Sequence, residues 1–264
     1  MPDMNSEPLL TRRMRKDFLS VAEAKGRRRT GLFMAEGTKC VLELMTSFTP
    51  AYVVASTEWL AEHGGAVPCG QIIEASRAEL RELSQLTTPG QVIAFFNLPE
   101  PEKLPEPEYF KKNLVLALDR VQDPGNLGTI LRTCDWFGVN TVLASPDTVD
   151  AFNPKVVQAT MGALAHVKIV YTQLPEILGE LGRQGVPVYG TFLDGVNIYS
   201  SELSRTGVIV MGNEGNGISP ETASCINRRL YIPPFAENAV VESLNVAVAT
   251  AVTLSTFRAP VLGR

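Results

Sequence analysis

The second half of the chain alternates short apolar runs with stretches whose apolar residues recur at helical spacing. Continuous apolar runs predict strands that are buried on both faces, since half-exposed strands alternate apolar and polar residues. We predict strands at 114–118, 141–144, 167–171, 186–192, 208–211 and 230–232. Because helical patterns separate them, we expect an α/β domain with a mostly parallel sheet.

The first half carries a smaller α/β pattern. Met14, Phe18 and Val21 form an apolar stripe that predicts an amphipathic helix at 11–25, ended by Gly26. An extended piece at 32–33, a helix at 36–45 and strands at 51–55, 72–73 and 91–96 are predicted to follow.

Proline and glutamate alternate between residues 98 and 112. This composition favours an extended polyproline conformation and cannot continue the interior of a sheet. We therefore predict an N-terminal domain at 1–98, a linker at 99–112 and a second domain at 113–264.

Composition places the chain among globular proteins, with 264 residues of which 45% are hydrophobic. No apolar run approaches the roughly 18 residues of a membrane span, and the N-terminus lacks a signal-peptide core, so we expect a cytoplasmic protein without membrane contact. The four cysteines are far apart and form no Cys-x-x-Cys pair, which predicts packing thiols and disfavours a metal site. Of two histidines, His166 lies in an apolar stretch typical of a structural role.

Positive charge is concentrated near the N-terminus although the net charge is −4. Residues 12–29 hold eight basic and two acidic side chains, a local balance of +6. Such a segment suits contact with nucleic-acid phosphates. A solvated helix face followed by a flexible basic loop explains the charge equally well. The candidate phosphate-binding residues are Arg12, Arg13, Arg27, Arg28 and Arg29.

A glycine-rich loop, Gly-Asn-Glu-Gly-Asn-Gly at 212–217, follows the predicted strand at 208–211. Glycines allow positive φ and bring backbone amides close to a ligand. Ile218 stands where a P-loop needs lysine, which excludes that triphosphate site. A plain turn into a helix capped by Ser219, with Pro220 as its first residue, is the alternative interpretation.

Arg132 lies opposite the apolar stripe of a predicted helix at 127–137, so it must face solvent, a substrate or another subunit. The stripe consists of Leu127, Ile130, Leu131 and Cys134. Ser243 is expected to cap a last helix at 244–257, which is apolar almost all round. A helix without a polar face packs against more than one neighbour, which favours a partner subunit.

Three ordered motifs resemble those of the SpoU/TrmH family of RNA 2′-O-ribose methyltransferases, within the SPOUT superfamily. They are Asn126-x-Gly128 with Arg132-Thr133, Gly212-x-Glu214-x-x-Gly217, and Ile232-Pro233 followed by Ser243-Leu244-Asn245-Val246. The resemblance covers roughly residues 113–258, and 33–37 is more weakly similar to the start of an L30e-like substrate-binding domain. The loop at 234–242 is longer than in typical members and lacks their glycine.

The resemblance implies an α/β fold whose second domain contains a deep trefoil knot, preceded by the smaller L30e-like α/β domain. It implies a homodimer that binds S-adenosylmethionine and methylates a structured RNA, either ribosomal or transfer RNA. The residues it assigns to the cofactor are Thr191, Leu193, Met211, Gly212, Asn213, Gly217, Ile232, Pro234, Leu244 and Val246.

Five further residues are assigned to catalysis by the resemblance: Arg132, Asn126, Glu214, Ser243 and Asn245. In the family the arginine is regarded as base or proton acceptor. Because guanidinium is normally cationic, we expect Arg132 to orient the ribose and phosphate and to stabilise the developing alkoxide. Glu214 is expected to pair with Arg132 or brace its loop, and Ser243 to lie near the hydroxyl or cap the helix.

Two other functions remain open from the sequence. A Rossmann-type nucleotide-binding enzyme is one, although Gly125-x-x-Gly128 lacks the third glycine of that fingerprint. A non-catalytic RNA-binding factor with the same architecture is the other. Nicotinamide binding in a fluorescence titration would favour the first, and transfer of a labelled methyl group to total cellular RNA separates the second from the methyltransferase.

Overall fold

A computed structural model describes residues 10–68, 70–236 and 243–262 of the chain. One unit comprises residues 10–100 together with Asp150–Ala165, and the other comprises 101–149 and 166–262. The assignment of Asp150–Ala165 to the first unit differs from the predicted division, in which the second domain runs unbroken over 113–264. It arises because this segment packs on the first unit, where the Phe152 ring lies 4.8 Å from that of Phe33.

The secondary structure alternates helices and strands throughout the described ranges. The helices are α1 (Arg12–Ser20), α2 (Ala24–Thr30), α3 (Thr38–Leu44), α4 (Thr57–His63), α5 (Arg77–Leu83), α6 (Pro107–Phe110), α7 (Pro124–Trp136), α8 (Pro154–Thr160), α9 (Leu174–Arg183), α10 (Pro220–Ala223) and α11 (Val246–Leu262). The strands are β1 (Leu32–Glu36), β2 (Pro50–Ala55), β3 (Gln71–Glu74), β4 (Val92–Asn97), β5 (Leu114–Leu118), β6 (Thr141–Ala144), β7 (Lys168–Tyr171), β8 (Val188–Asn197), β9 (Gly207–Met211) and β10 (Arg228–Tyr231). No helix among them is both long and apolar enough to cross a bilayer.

The first unit contains a four-stranded mixed sheet in the order β1-β4-β2-β3. Strand β4 is antiparallel to both neighbours, whereas β2 and β3 are parallel. The rings of Phe18 on α1 and Phe95 on β4 stack with centroids 3.9 Å apart, so the apolar stripe of α1 covers this sheet. The strands predicted for this half are present: those at 32–33, 51–55 and 72–73 are longer by one to three residues, and that at 91–96 is shifted by one residue.

The N-terminal helix prediction was wrong in its extent. Two helices, α1 and α2, replace the single helix expected at 11–25, and Gly26 lies inside α2. A Cβ atom at Gly26 would lie 1.7 Å from the carbonyl oxygen of Ser20, so glycine permits close contact with the end of α1. Gly31, with φ of +67°, ends α2 instead.

The second unit contains a six-stranded sheet in the order β10-β8-β9-β5-β6-β7. Every neighbouring pair in it runs parallel, which confirms the sheet predicted from the buried apolar runs. The side chains of β5 and β9 are all buried. Burial of both faces of a strand requires helices on each side of the sheet, as in other parallel sheets.

The proline-rich segment is not extended throughout. Pro107–Phe110 forms the short helix α6, with proline near its first position, and Phe110 is fully buried in the core of the second unit. The expectation of polyproline conformation over 98–112 is therefore wrong at its end. The burial of one aromatic side chain outweighs the local preference of the prolines for extended backbone.

Strand β8 carries a large bulge near its carboxyl end. Its pairing with β10 passes from Gly190 opposite Arg229 directly to Val196 opposite Leu230. Residues 191–195 therefore leave the ladder, and the side chain of Leu193 is 72% exposed. We refer to residues 191–195 as the β8 bulge.

Candidate active site

The carboxyl ends of four adjacent strands supply the candidate site. Strands β10, β8, β9 and β5 are neighbours in the parallel sheet, so their ends lie along one edge. Ligands of open parallel sheets bind at this edge. The segments that follow these strands carry most of the residues predicted for catalysis and cofactor binding.

The glycine-rich loop after β9 is closed by its own hydrogen bonds. The N–H of Asn213 donates to the Gly217 carbonyl at 2.9 Å, and the N–H of Gly217 donates back at 3.0 Å. The Asn213 side-chain oxygen accepts from the N–H groups of Gly215 and Asn216, each at 3.0 Å. These amides are thus already used by the loop, in agreement with the absence of a P-loop sequence.

Gly212 is required at the base of this loop. A Cβ atom there would lie 2.2 Å from the Gly217 carbonyl carbon and 2.3 Å from the Ile218 nitrogen. Both are backbone atoms, so a side chain cannot be accommodated without moving the loop. The predicted turn into a capped helix is also present, since Ser219 accepts from Thr222 at the start of α10.

Asp119 anchors the end of the loop and was missed by the sequence analysis. Its Oδ2 atom accepts from the Ser219 N–H at 2.7 Å and from the Ser219 hydroxyl at 2.6 Å. The carboxylate is 3% exposed. The sequence feature that could have identified Asp119 is a charged residue immediately after the continuous apolar run of β5. A buried acid in that position needs hydrogen-bond donors from a neighbouring strand end.

Three residues predicted for catalysis meet in one polar network. Asn126 donates from Nδ2 to Oε1 of Glu214 at 2.9 Å, and its Oδ1 accepts from Nδ2 of Asn245 at 2.9 Å. Because the Glu214 carboxylate can only accept, it determines which end of the Asn126 amide donates. The network joins α7, the glycine-rich loop and the start of α11.

Glu214 braces the loop and forms no ion pair with Arg132. Besides Asn126, it accepts from Asn213 Nδ2 at 3.3 Å. Arg132 is exposed, and it has no hydrogen bond or ion pair with any residue the structure describes. Within one chain Glu214 therefore has the second of its two expected roles, and its pairing with Arg132 stays a prediction.

The cap of the last helix is Asn245. Its side-chain oxygen accepts from the N–H of Ala247 at 2.9 Å and of Val248 at 3.3 Å, and α11 begins at Val246. The expectation that Ser243 caps this helix is wrong, because the helix begins later and asparagine is an equally good cap. Ser243 is exposed just before it.

Most residues predicted to bind the cofactor lie along the ends of β8, β9 and β10, while Leu244 and Val246 lie at the start of α11. Thr191, at the start of the β8 bulge, contacts the Met211 sulfur at 3.8 Å. Arg229 braces the bulge from β10: its guanidinium carbon lies 3.5 Å from the centroid of the Phe192 ring, and its Nη2 atom lies 2.6 Å from Asp194. That hydrogen bond lowers the pKa of the Asp194 carboxyl.

The ten cofactor candidates differ in their burial. Met211, Gly212 and Val246 are buried, Thr191, Asn213 and Ile232 are half-buried, and Leu193, Gly217, Pro234 and Leu244 are exposed. The part of the long loop at 237–242 lies outside the described residues, so the expectation for the loop at 234–242 stays a prediction.

The basic segment is only partly available to a ligand. Arg12, Arg13 and Arg28 are exposed, and Arg29 pairs with Asp17 at 2.7 Å. Arg27 is 3% exposed, so its placement on a nucleic-acid surface is wrong. Its guanidinium bonds to Asp150 at 2.5 Å and to the Val21 carbonyl at 2.9 Å, which ties α2 to two neighbouring segments.

The cysteines in the described ranges are free. Cys40 and Cys134 are buried, and burial raises the pKa of the Cys40 thiol to about 11 and that of Cys134 further. This confirms both as packing thiols, whereas Cys69 lies outside the described residues. Among those residues, no group of three histidine, cysteine or acidic side chains is arranged as metal ligands would be.

Family comparisons match both parts of the chain. Residues 113–255 match the SpoU rRNA Methylase family, and residues 16–94 match the MRM3-like substrate binding domain. The chain is 34% identical to the 23S rRNA (guanosine(2553)-2′-O)-methyltransferase RlmP of Bacillus subtilis over 249 residues. This match covers 92% of the chain and 95% of the relative.

Solved structures share the whole architecture. A Porphyromonas gingivalis protein assigned to the TrmH family of RNA methyltransferases superposes with a TM-score of 0.84 and 41% identity, over 96% of this chain and 100% of that one. An AdoMet-bound rRNA methyltransferase from Sinorhizobium meliloti superposes with a TM-score of 0.80 and 28% identity, over 96% and 97% of the two chains.

Proposed function

Because the chain belongs to the SpoU rRNA Methylase family, we propose that ribosomal RNA is its substrate and that the polar network at the strand ends forms its active site. The chain is an S-adenosylmethionine-dependent RNA methyltransferase that acts on a ribose 2′-hydroxyl. The observation that carries the site assignment is the contact of Asn126 with both Glu214 and Asn245. These residues belong to three different segments and meet only in the folded chain.

The strand ends beside this network fit the cofactor. Leu193 and Leu244 expose apolar side chains suited to an adenine ring. Because Gly212 has no side chain, only backbone atoms face the cofactor at the base of the loop. We assign the cofactor to these residues together with Thr191 and Ile232. When bound there, S-adenosylmethionine supplies an activated methyl group on a sulfonium sulfur.

The chemistry requires the ribose hydroxyl to be aligned for attack, and orientation alone contributes about 7 to 11 kcal/mol of barrier lowering. Asn126 and Asn245 are held by their mutual hydrogen bond, so they position the ribose without reorganising. The guanidinium of Arg132, which pairs with none of the described residues, orients the ribose and its phosphate and stabilises the oxygen as its proton leaves. The exposed Ser243 hydroxyl is assigned a place near the target hydroxyl.

The active enzyme is proposed to be a homodimer whose Arg132 serves the partner's site. Arg132 and Trp136 lie one turn apart on the exposed face of α7, and the Trp136 side chain is 84% exposed. Val248 on α11, which packs beside α7, is 50% exposed. An exposed apolar surface next to an arginine that pairs with none of the described residues suits an interface that completes a site.

The trefoil knot and the L30e-like character of the first unit belong to the same proposal. The position of α11 supports the knot: the chain leaves β10 at the sheet edge and returns to pack against α7, which follows the interior strand β5. The mixed four-stranded sheet and the family match over residues 16–94 support a substrate-binding role for the first unit. We place the reaction in the cytoplasm.

The proposal is tested by methyl transfer. The purified chain, incubated with tritiated S-adenosylmethionine, should label in vitro transcribed 23S rRNA at a ribose 2′-oxygen. The phosphodiester bond next to a 2′-O-methylated ribose resists alkaline hydrolysis, which identifies the labelled position. Transfer to bulk tRNA with none to 23S rRNA would contradict the substrate assignment. Absence of transfer to any RNA, with RNA binding retained, would instead favour the non-catalytic factor.

Asn126→Asp should lower the rate of methyl transfer by about 10- to 100-fold. This factor corresponds to the loss of one hydrogen bond to a charged group, which contributes about 1.5 to 3 kcal/mol. The reason is that aspartate places a second acceptor against Glu214, where the amide now donates at 2.9 Å. Initial rates on 23S rRNA measure the effect. Asn216→Asp makes the same charge change at an exposed position of the glycine-rich loop and should stay near the parent rate.

Replacing Arg12, Arg13 and Arg28 together by glutamine should weaken RNA binding and leave cofactor affinity unchanged. Each lost phosphate contact lowers the slope of log affinity against log salt by about 0.7 to 0.9, so the triple variant should lose roughly 2 to 3 units of slope. Filter binding of in vitro transcribed 23S rRNA at several salt concentrations gives this slope.

The matched control removes three exposed cations outside the basic segment, Arg77, Arg81 and Lys112. If both triple variants lose the same slope, the effect is one of net charge and the basic segment is no specific RNA surface.

A further inference from the structure

Arg120, two residues beyond β5, has a backbone conformation that calls for an explanation. Its φ is +60°, a region that residues with a side chain rarely adopt. The other such residue in the described ranges, Met161 with φ of +54°, ends helix α8, where this conformation is ordinary. Arg120 ends no helix.

The backbone of Arg120 is held on both sides. Its N–H donates to the Ser145 hydroxyl at 2.8 Å, and its carbonyl accepts from Asn213 Nδ2 at 2.8 Å. These contacts place the residue between the segment after β6 and the glycine-rich loop. A sparsely populated conformation persists when the surroundings over-determine it, and such positions cluster at functional sites.

The Nε atom of the Arg120 guanidinium points inward, whereas the two terminal nitrogens bond to none of the described residues. The Nε atom is inaccessible and lies 3.5 Å from Asp119 Oδ1, too poorly directed to form a hydrogen bond. The second oxygen of Asp119 is occupied by Ser219. The terminal nitrogens bond to none of the described residues, while 36% of the side chain is exposed.

We propose that Arg120 binds a backbone phosphate of the RNA next to the target ribose, a proposal that rests on the methyltransferase assignment. Asp119 attracts the guanidinium from the protein side, and with Nε inaccessible the terminal nitrogens are the donors left for a ligand. A planar fork of N–H groups matches phosphate oxygens. Arg120 lies on the β5–α7 connection, and Asn126 lies in the first turn of α7 that follows it, on the side of the site assigned to the ribose.

Two substitutions remove the guanidinium without disturbing the backbone. Arg120→Gly and Arg120→Asn both tolerate positive φ, so they retain the hydrogen bonds to Ser145 and Asn213. We expect the KM for in vitro transcribed 23S rRNA to rise about tenfold, with cofactor affinity by calorimetry unchanged. The slope of log RNA affinity against log salt should fall by about 0.7 to 0.9, and the unfolding midpoint of Arg120→Gly should not fall.

Arg183→Gln is the matched control, since it removes one exposed cation from α9 of the same unit. Arg120→Gly with the parent's RNA affinity and salt slope would overturn the proposal. Weaker cofactor binding with unchanged RNA binding would also overturn it and assign Arg120 to the cofactor carboxylate. Because the salt slope requires no turnover, it decides this proposal even if the parent fails to methylate the transcript, which would count against the proposed substrate alone.

Discussion

Arg132→Ala is expected to lose methyl transfer by about 100- to 1,000-fold while binding S-adenosylmethionine as tightly as the parent. The side chain is exposed and unpaired among the described residues, so its removal leaves no buried partner unsatisfied and should not destabilise the fold. Single-turnover rates on 23S rRNA measure the loss, and calorimetry measures cofactor binding. Methylation at the parent rate would refute the role assigned to Arg132.

Arg132→Lys separates charge from geometry. Lysine retains the positive charge but lacks the planar fork that holds a ribose phosphate, so we expect it to restore little activity. Restoration to within a few fold of the parent would mean that Arg132 acts as a simple point charge. Arg183→Ala serves as the control for loss of an exposed arginine elsewhere in the same unit.

Gly212→Val is expected to raise the dissociation constant for S-adenosylmethionine by at least about 100-fold and to lower methylation with it. The added Cβ would lie 2.2 Å from the Gly217 carbonyl carbon, a backbone atom of the same closed loop. The loop must therefore open, which also displaces Glu214 from Asn126. Overpacking of this kind lowers folding stability by about 1 to 3 kcal/mol or more. Circular dichroism should therefore accompany the calorimetry, to show that the variant is folded.

Gly215→Ala provides the matched control in the same loop. A Cβ atom at Gly215 would lie 3.7 Å from the Asn213 side-chain oxygen, an ordinary contact, so cofactor affinity should stay near that of the parent. If both glycine variants weakened binding equally, the loop's flexibility rather than the close approach at Gly212 would be responsible.

Mixing the two inactive variants tests the dimer. If Arg132 serves the partner's site, a heterodimer of Arg132→Ala and Gly212→Val contains one site with both residues intact. Co-expressed, differently tagged chains should then recover activity that neither homodimer has. No recovery in a purified heterodimer, or a monomeric parent by light scattering, would show that each site is completed within one chain.

Much of the second unit could be predicted because its signals are local. A continuous apolar run such as β5 admits few structures other than a strand buried on both faces, and Arg132 opposite four core residues had to be exposed. The first unit was predicted less well at its N-terminus. There, Gly26 acts through contact with the carbonyl of Ser20 at the end of α1 rather than as a helix stop, and the apolar pattern does not distinguish these two roles.

The candidate site shows the same limit. Asn126, Glu214 and Asn245 were proposed from ordered motifs, but the bonds among them depend on which strands are adjacent. Asp119 received no attention, because one acidic residue after an apolar run has meaning only once Ser219 is beside it. Arg27 resembled its exposed neighbours in sequence, and only the position of Asp150 explains why it is buried.

The sequence by itself determined the alternation of helices and parallel strands, the motifs that identify the family and the face of α7 that carries Arg132, because each follows from the spacing of neighbouring residues. Only the tertiary structure decided the strand order, the partner of Glu214, the cap at Asn245 and the burial of Arg27. These depend on contacts between residues far apart along the chain, whose free energies are not encoded in any local pattern.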